Sequence, residues 1–139
     1  MDYQVMRQGG YDSLRSGIVD GARAEFITME AGVGGINPFS MVMVATDGTL
    51  RTANASETSH AGKLVGMSTA AALEGEDCLV QKSGEIVNPN WDLDPGVNYF
   101  AGRGGAITIN PPVPGFWQRV GIGKDSVTLI LSLSEPVVR

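Results

Sequence analysis

From Ala24 onward, no apolar run in this chain outlasts a short strand before Gly, Pro, Asn or Asp interrupts it. The runs are 24–29, 41–45, 50–52, 63–67, 78–81, 85–87, 97–101, 106–109, 117–122 and 127–133. Val, Ile, Thr and aromatic residues dominate them, the composition that fits a pleated, half-buried surface. Only 53–61 and 68–74 have room for a turn of helix, and neither is long enough to hold one without packing. Asp47-Gly48 between two apolar runs is the strongest hairpin signal, and Ser83-Gly84 and Gly104-Gly105 read as further turns. Short strands with turn chemistry at this spacing predict an all-β sandwich or barrel. Gly supplies 19 of the 139 residues, about twice its usual share, as so many tight turns demand.

The strand pattern repeats. Pro38 is followed by a strand, a Gly turn and a second strand, and so is Pro95, at an offset of 57 residues. Leu64-Val65-Gly66 then matches Arg119-Val120-Gly121 at an offset of 55, and a further strand follows each, at 78–81 and 127–131. Two copies of a four-strand unit, each unable to close alone, predict one small barrel built from both. The expected domain covers 24–139. Residues 1–23 differ: Gly9, Gly10, Gly17 and Gly21 break every periodic run, while Tyr3, Met6, Tyr11 and Leu14 stand isolated among Arg7, Arg15 and Arg23. That pattern predicts an extended N-terminal arm with something to bury against a partner.

Composition removes several function classes. The net charge is −5, which argues against a sequence-independent grip on nucleic acid, since that needs Lys and Arg to replace phosphate counterions. A single Cys, Cys78, and a single His, His60, forbid an intrachain disulfide and the multi-Cys or multi-His metal sites. No signal peptide or spanning segment is legible, so the expectation is a soluble chain made in a reducing compartment, with no membrane partner.

The sequence contains only fragments of catalytic motifs. Gly121-Ile122-Gly123-Lys124-Asp125 resembles the end of a phosphate-binding loop, but Gln118 and Asp125 stand where Gly and Ser or Thr are required, and a strand follows instead of a helix. Gly32-Val33-Gly34-Gly35 and Gly102-Arg103-Gly104-Gly105 have the composition to cradle an anion, although turns explain both more simply. Glu74, Glu76 and Asp77, and Asp92 with Asp94, read as solvated turn carboxylates, because calcium-loop spacing is missing. His60 lies too close to Ser56 and Ser59 in sequence to form a triad, and Cys78 sits in an apolar run that implies a buried, inert thiol. No catalytic residue, metal ligand or cofactor is expected. Trp91, Trp117 and Tyr99 leave open a carbohydrate-binding face, against the simpler reading that aromatics pack cores and interfaces.

The run Leu93-Asp94-Pro95-Gly96-Val97-Asn98-Tyr99-Phe100-Ala101, then Gly104-Gly105-Ala106-Ile107-Thr108, Pro111-Pro112, Gly115 to Gly121, Leu129-Ile130-Leu131 and Glu135-Pro136-Val137 resembles the closing segment of small tailed-bacteriophage structural proteins. These are head decoration (cement) and head-fibre proteins, and residues 35–67 resemble the matching first half. The resemblance covers about the last three-quarters of the chain and leaves the arm outside. It implies a β-barrel or β-tulip-like domain that trimerises on the outer surface of the virion head after synthesis in the host cytoplasm. The partners it implies are the major capsid protein and two further copies of the chain. The alternative within the same resemblance is a fibre or tail component, or a receptor-binding tip that uses the aromatic face. On this reading Tyr3, Met6, Arg7, Tyr11, Leu14 and Arg15 are the expected capsid contacts. Phe39, Trp91, Phe116 and Trp117, large rings beside Pro or Gly at strand ends, are the expected trimer contacts.

Overall fold

The computed structural model describes residues 23–139; all of the expected arm but Arg23, including its six expected capsid contacts, lies outside the described residues. The strands are β1 (Glu25–Glu30), β2 (Met41–Val44), β3 (Leu50–Thr52), β4 (Leu64–Ser68), β5 (Asp77–Val87), β6 (Asn98–Ala101), β7 (Ile107–Thr108), β8 (Phe116–Trp117), β9 (Arg119–Asp125), β10 (Thr128–Leu131) and β11 (Val137–Val138). The helical content among the described residues is two three-residue 3-10 turns, Thr58–His60 and Arg103–Gly105. No described helix is long and apolar enough to cross a membrane. The chain is all-β.

One curled antiparallel sheet runs β3-β2-β4-β5-β10-β9-β6-β7, with β1 added to β5 and a separate β11-β8 ribbon. That order contains the predicted repeat. In the first unit β2 lies between β3 and β4, and β4 pairs with β5. In the second, β6 lies between β7 and β9, and β9 pairs with β10. The registers agree residue by residue. Met43 faces Arg51 and Val44 faces Leu50, while Phe100 faces Thr108 and Ala101 faces Ile107. Val42 faces Gly66 and Met43 faces Leu64, skipping Val65; Tyr99 faces Gly121 and Phe100 faces Arg119, skipping Val120. Thus even the β-bulge, an extra residue on one strand that coils the pair, recurs at the offset of 55.

Each chain segment meets two environments because strand side chains alternate. Met41, Met43, Met67, Ile86, Tyr99, Phe116, Val120, Leu129 and Leu131 fill the interior shared by both units. Val42, Leu50, Cys78 and Val80 point to the outer face of the first unit, where Ile36, Ala72 and the inward side of β1 (Ile27, Met29) cover them. The outer ends of the sheet meet through irregular backbone: Gly105 N–H donates to Ala53 O (2.8 Å), Ala55 N–H to Gly102 O (2.9 Å), and Phe116 N–H to Ala55 O (2.8 Å). The result is barrel-like, with its last seam closed by single bonds between loops.

Two strand assignments change. Ser83-Gly84 is a kink inside the 11-residue β5, which joins the predicted runs 78–81 and 85–87. Phe26 pairs with Gln81 and Glu25 with Ser83, so Lys82 is an extra residue. The bulge explains why Cys78 and Val80 face the outer cluster whereas Ile86 faces the interior. Gln81 Nε2 satisfies the displaced carbonyls of Ser83 (3.0 Å) and Glu85 (2.8 Å). The predicted run 117–122 is divided at Gln118, and β11, too short to stand out in the sequence, pairs back on β8.

The Asp47-Gly48 hairpin forms as predicted. Asp47 Oδ1 accepts the Thr49 hydroxyl (2.7 Å) and N–H (3.0 Å), and these bonds with nearby Arg51 hold its carboxyl below the ordinary 3.8. Asp125, at the β9–β10 turn, is lowered by the Thr128 hydroxyl and the Val127 N–H. A lowered folded pKa adds stability above the unfolded value, and this is lost as pH falls through the folded value. Stability should therefore decline below pH 3.8, with a shallower slope in the Asp47→Asn, Asp125→Asn double variant. Urea midpoints measured across the acid range check this; identical slopes would contradict it.

Candidate functional site

Beside the β6–β7 hairpin the structure opens a cleft of about 560 Å3, lined by Phe39, Trp91, Asp92, Tyr99, Ile107 and Ile109 among others. Phe39 stands before β2 with φ of 55°, a left-handed backbone conformation that only Phe39 adopts among the described non-glycine residues. That conformation costs a bulky side chain about 1–2 kcal/mol. Buried Ser68 holds it in place. Its carbonyl accepts the Phe39 N–H (2.9 Å), its hydroxyl accepts the Ser40 N–H (3.0 Å) and that hydroxyl donates to Asn37 O (2.6 Å). The turn so fixed puts the Phe39 ring against Trp91, edge to face, with centroids 5.8 Å apart.

Trp91 is presented by an Asx turn. Asn88 Oδ1 accepts the Asn90 N–H (3.0 Å), and the Trp91 N–H donates to Asn88 O (3.0 Å). Next, Leu93 drops into the interior and Asp94 N–H donates to the hydroxyl of Tyr99 (2.8 Å), whose ring is buried. The chain then turns at Pro95-Gly96, where Asp94 O accepts the Val97 N–H (3.3 Å), and Asp92 and Asp94 line the edge of an aromatic and aliphatic cleft. Ile109, on the rim, is half exposed.

The four rings expected at a trimer contact do not form one patch. Phe39 and Trp91 meet in the cleft. Phe116 has no exposed surface and belongs to the interior. It has no face to offer another subunit, because the ring is packed into the interior cluster. Trp117 lies apart from the cleft, tilted against Phe100 (centroids 6.4 Å) and beneath the Arg139 guanidinium (4.9 Å). Likewise the proposed sugar platform is divided: Trp91 and Tyr99 share the cleft, and Trp117 does not line it. Adjacent strand residues such as Phe116 and Trp117 face opposite ways, but which of the two meets the interior is decided only by how the strand packs.

Among the remaining candidates, Gly121–Asp125 lies within β9, so the phosphate-loop likeness is a strand. Glu76 Oε1 accepts the Leu73 N–H (2.8 Å) within its own turn. Cys78 is buried and its thiol is pushed up by desolvation, and His60 Nδ1 accepts the Asn54 N–H (3.0 Å). Among the described residues, no group of three or more His, Cys, Asp or Glu is placed to hold a metal. Sequence reasoning missed Ile107 and Ile109 as cleft residues; their position opposite the Phe39–Trp91 pair depends on the β6–β7 hairpin. No protein-family model matches the chain, and no curated protein matches its sequence.

Proposed function

We propose that this protein is a structural component of a bacteriophage virion, a trimeric decoration protein that binds the major capsid protein on the outer surface of the head and stabilises it by binding, not by catalysis. The observation that carries the reading is the half-open Phe39–Trp91 cluster with exposed Ile109 beside it. It is a rigid apolar surface at one end of a turn-rich β-barrel, in a chain whose turns and strand ends resemble those of phage cement and head-fibre proteins. A strained turn clamped by Ser68 keeps the Phe39 ring on this surface, so little order has to be gained on docking. Covering what stays exposed of such a ring contributes less than the roughly 1.5–3 kcal/mol of a full burial, so the trimer would draw on Phe39, Trp91 and Ile109 together. The acidic charge keeps a densely arrayed protein soluble and away from packaged DNA.

The test is to add the purified protein to empty tailed-phage heads that lack a decoration protein, where stoichiometric binding is expected. Deleting residues 1–23 should weaken that binding and leave the melting temperature of the barrel nearly unchanged. Trp91→Ala should convert a sedimenting trimer into folded monomers. A wild-type monomer at micromolar concentration, or equal head binding by the truncated chain, would contradict the proposal. A second reading rests on the same cleft: aromatic faces with Asp92 and Asp94 at the rim suit a sugar ring, whose C–H face stacks while its hydroxyls donate to carboxylates. A receptor-binding tip of that kind would retain glycan binding in the monomer.

A further inference from the structure

Val33, Gly34 and Gly35 border a second groove of about 610 Å3 that shares no lining residue with the aromatic cleft. Gly34 and Gly35 form one wall, and Thr46, Arg51, His60 and Lys63 stand around the rest. Their side chains offer mainly donors, and no carboxylate among the described residues lines the groove, although the chain as a whole carries a charge of −5.

Three details fix the donors. Gly32 lets the Arg51 side chain lie across the loop backbone: a Cβ at Gly32 would come within 2.6 Å of Arg51 Nε. Asp47 Oδ2 holds Arg51 Nη2 at 3.3 Å and the Arg51 Nε is buried against the Gly32 backbone, so the guanidinium is fixed beside the groove. The Asn54 N–H donates to His60 Nδ1, which places the neutral ring's proton on Nε2 and makes that nitrogen a donor. Lys63, exposed at the rim, adds a full charge.

We propose that this groove binds a tetrahedral oxyanion of the phosphate or sulfate class. Its polar lining comes from three separate segments, the β2–β3 hairpin with Arg51, the Thr58–His60 turn and Lys63, set against the wall of the glycine loop. A guest that satisfies them must offer oxygens in several directions, as a tetrahedral anion does and a planar carboxylate does not. A charge-assisted bond from Lys63 supplies most of the attraction, since the Arg51 charge is already shared with Asp47. The site is independent of the capsid reading and stands whether or not the protein decorates a head.

Amide chemical shifts recorded during titration of the full chain with inorganic phosphate test the proposal. Saturable shifts are expected at Val33, Gly34, Gly35, Ser59 and His60, with a dissociation constant on the order of millimolar. Sulfate should reproduce them, and acetate at equal ionic strength should not. Lys63→Glu should weaken binding by about tenfold or more while leaving the rest of the spectrum in place, and Lys63→Arg should restore it. A phosphorylated sugar that binds more tightly than inorganic phosphate identifies a carried phosphoryl group, and equal affinity identifies the free ion. The absence of saturable shifts up to about a hundred times that concentration range, equal shifts with acetate, or wild-type affinity in Lys63→Glu would overturn the proposal.

Discussion

Gly66→Ala and Gly121→Ala should each cost about 3 kcal/mol or more, a large share of the roughly 5–15 kcal/mol that holds a domain of ordinary stability together. The two glycines occupy one position of the repeated unit. Gly66 on β4 faces Val42 and Gly121 on β9 faces Tyr99, each beside the bulge. A methyl group on Gly66 would press into the carbonyl oxygen of Gln81 on β5, and one on Gly121 into the carbonyl oxygen of Ile130 on β10. Gln81 and Ile130 are themselves equivalent, since they face Met67 and Ile122. The obstacle in both cases is backbone inside a paired ladder, which cannot move aside as a side-chain tip can. Gly96→Ala is the control: a Cβ there meets nothing within 4 Å, so any loss comes only from its φ of 79°. Denaturant midpoints compare the three variants. If Gly66→Ala or Gly121→Ala were no worse than Gly96→Ala, the equivalence of the two units would fail.

Phe116→Ala should cost about 3–5 kcal/mol, the usual loss for deleting a fully buried ring from a packed interior. The ring has no exposed surface and is the largest fully buried side chain among the described residues. It also sits where the barrel is closed by few bonds, its N–H donating to Ala55 O (2.8 Å) beside the Gly105 to Ala53 bond. A cavity there removes packing from the seam that joins the two ends of the sheet. The loss should appear as a lower unfolding midpoint at every protein concentration. A loss that disappears on dilution would mean that the ring acts between subunits, contrary to its placement. Trp91→Ala, from the half-open cleft, should change association far more than the stability of the isolated domain.

Local chemistry carries much of the architecture on its face. Asp47-Gly48 makes its hairpin because the Asp47 side chain bonds the backbone and Gly48 takes a φ of 84°. Both requirements are met within a few residues. The repeat is legible for a related reason: strand, turn and bulge are each set by short stretches, so two copies keep the same spacing, 57 residues at β2 and β6 and 55 at β4 and β9. The all-β class follows from the same short-range preferences.

Other features depend on contacts between distant segments. Ser83-Gly84 has the composition of a turn, yet β1 pairs across it and Gln81 supplies the missing bonds, so the strand continues through a bulge. Phe116 and Trp117 are alike in sequence, but pairing with β11 sends one ring to the interior and the other toward Phe100 and Arg139. Phe39 and Trp91 meet only because Ser68, on β4, clamps the turn that carries Phe39. The polar side chains around the Gly34–Gly35 groove are drawn together in the same way from a hairpin, a 3-10 turn and Lys63. The sequence by itself determined the elements and their doubling, because turn and strand preferences act over a few residues. Which rings are buried, and which polar groups converge, was decided by tertiary structure, because side-chain direction in a sheet depends on register and on every bulge along the way.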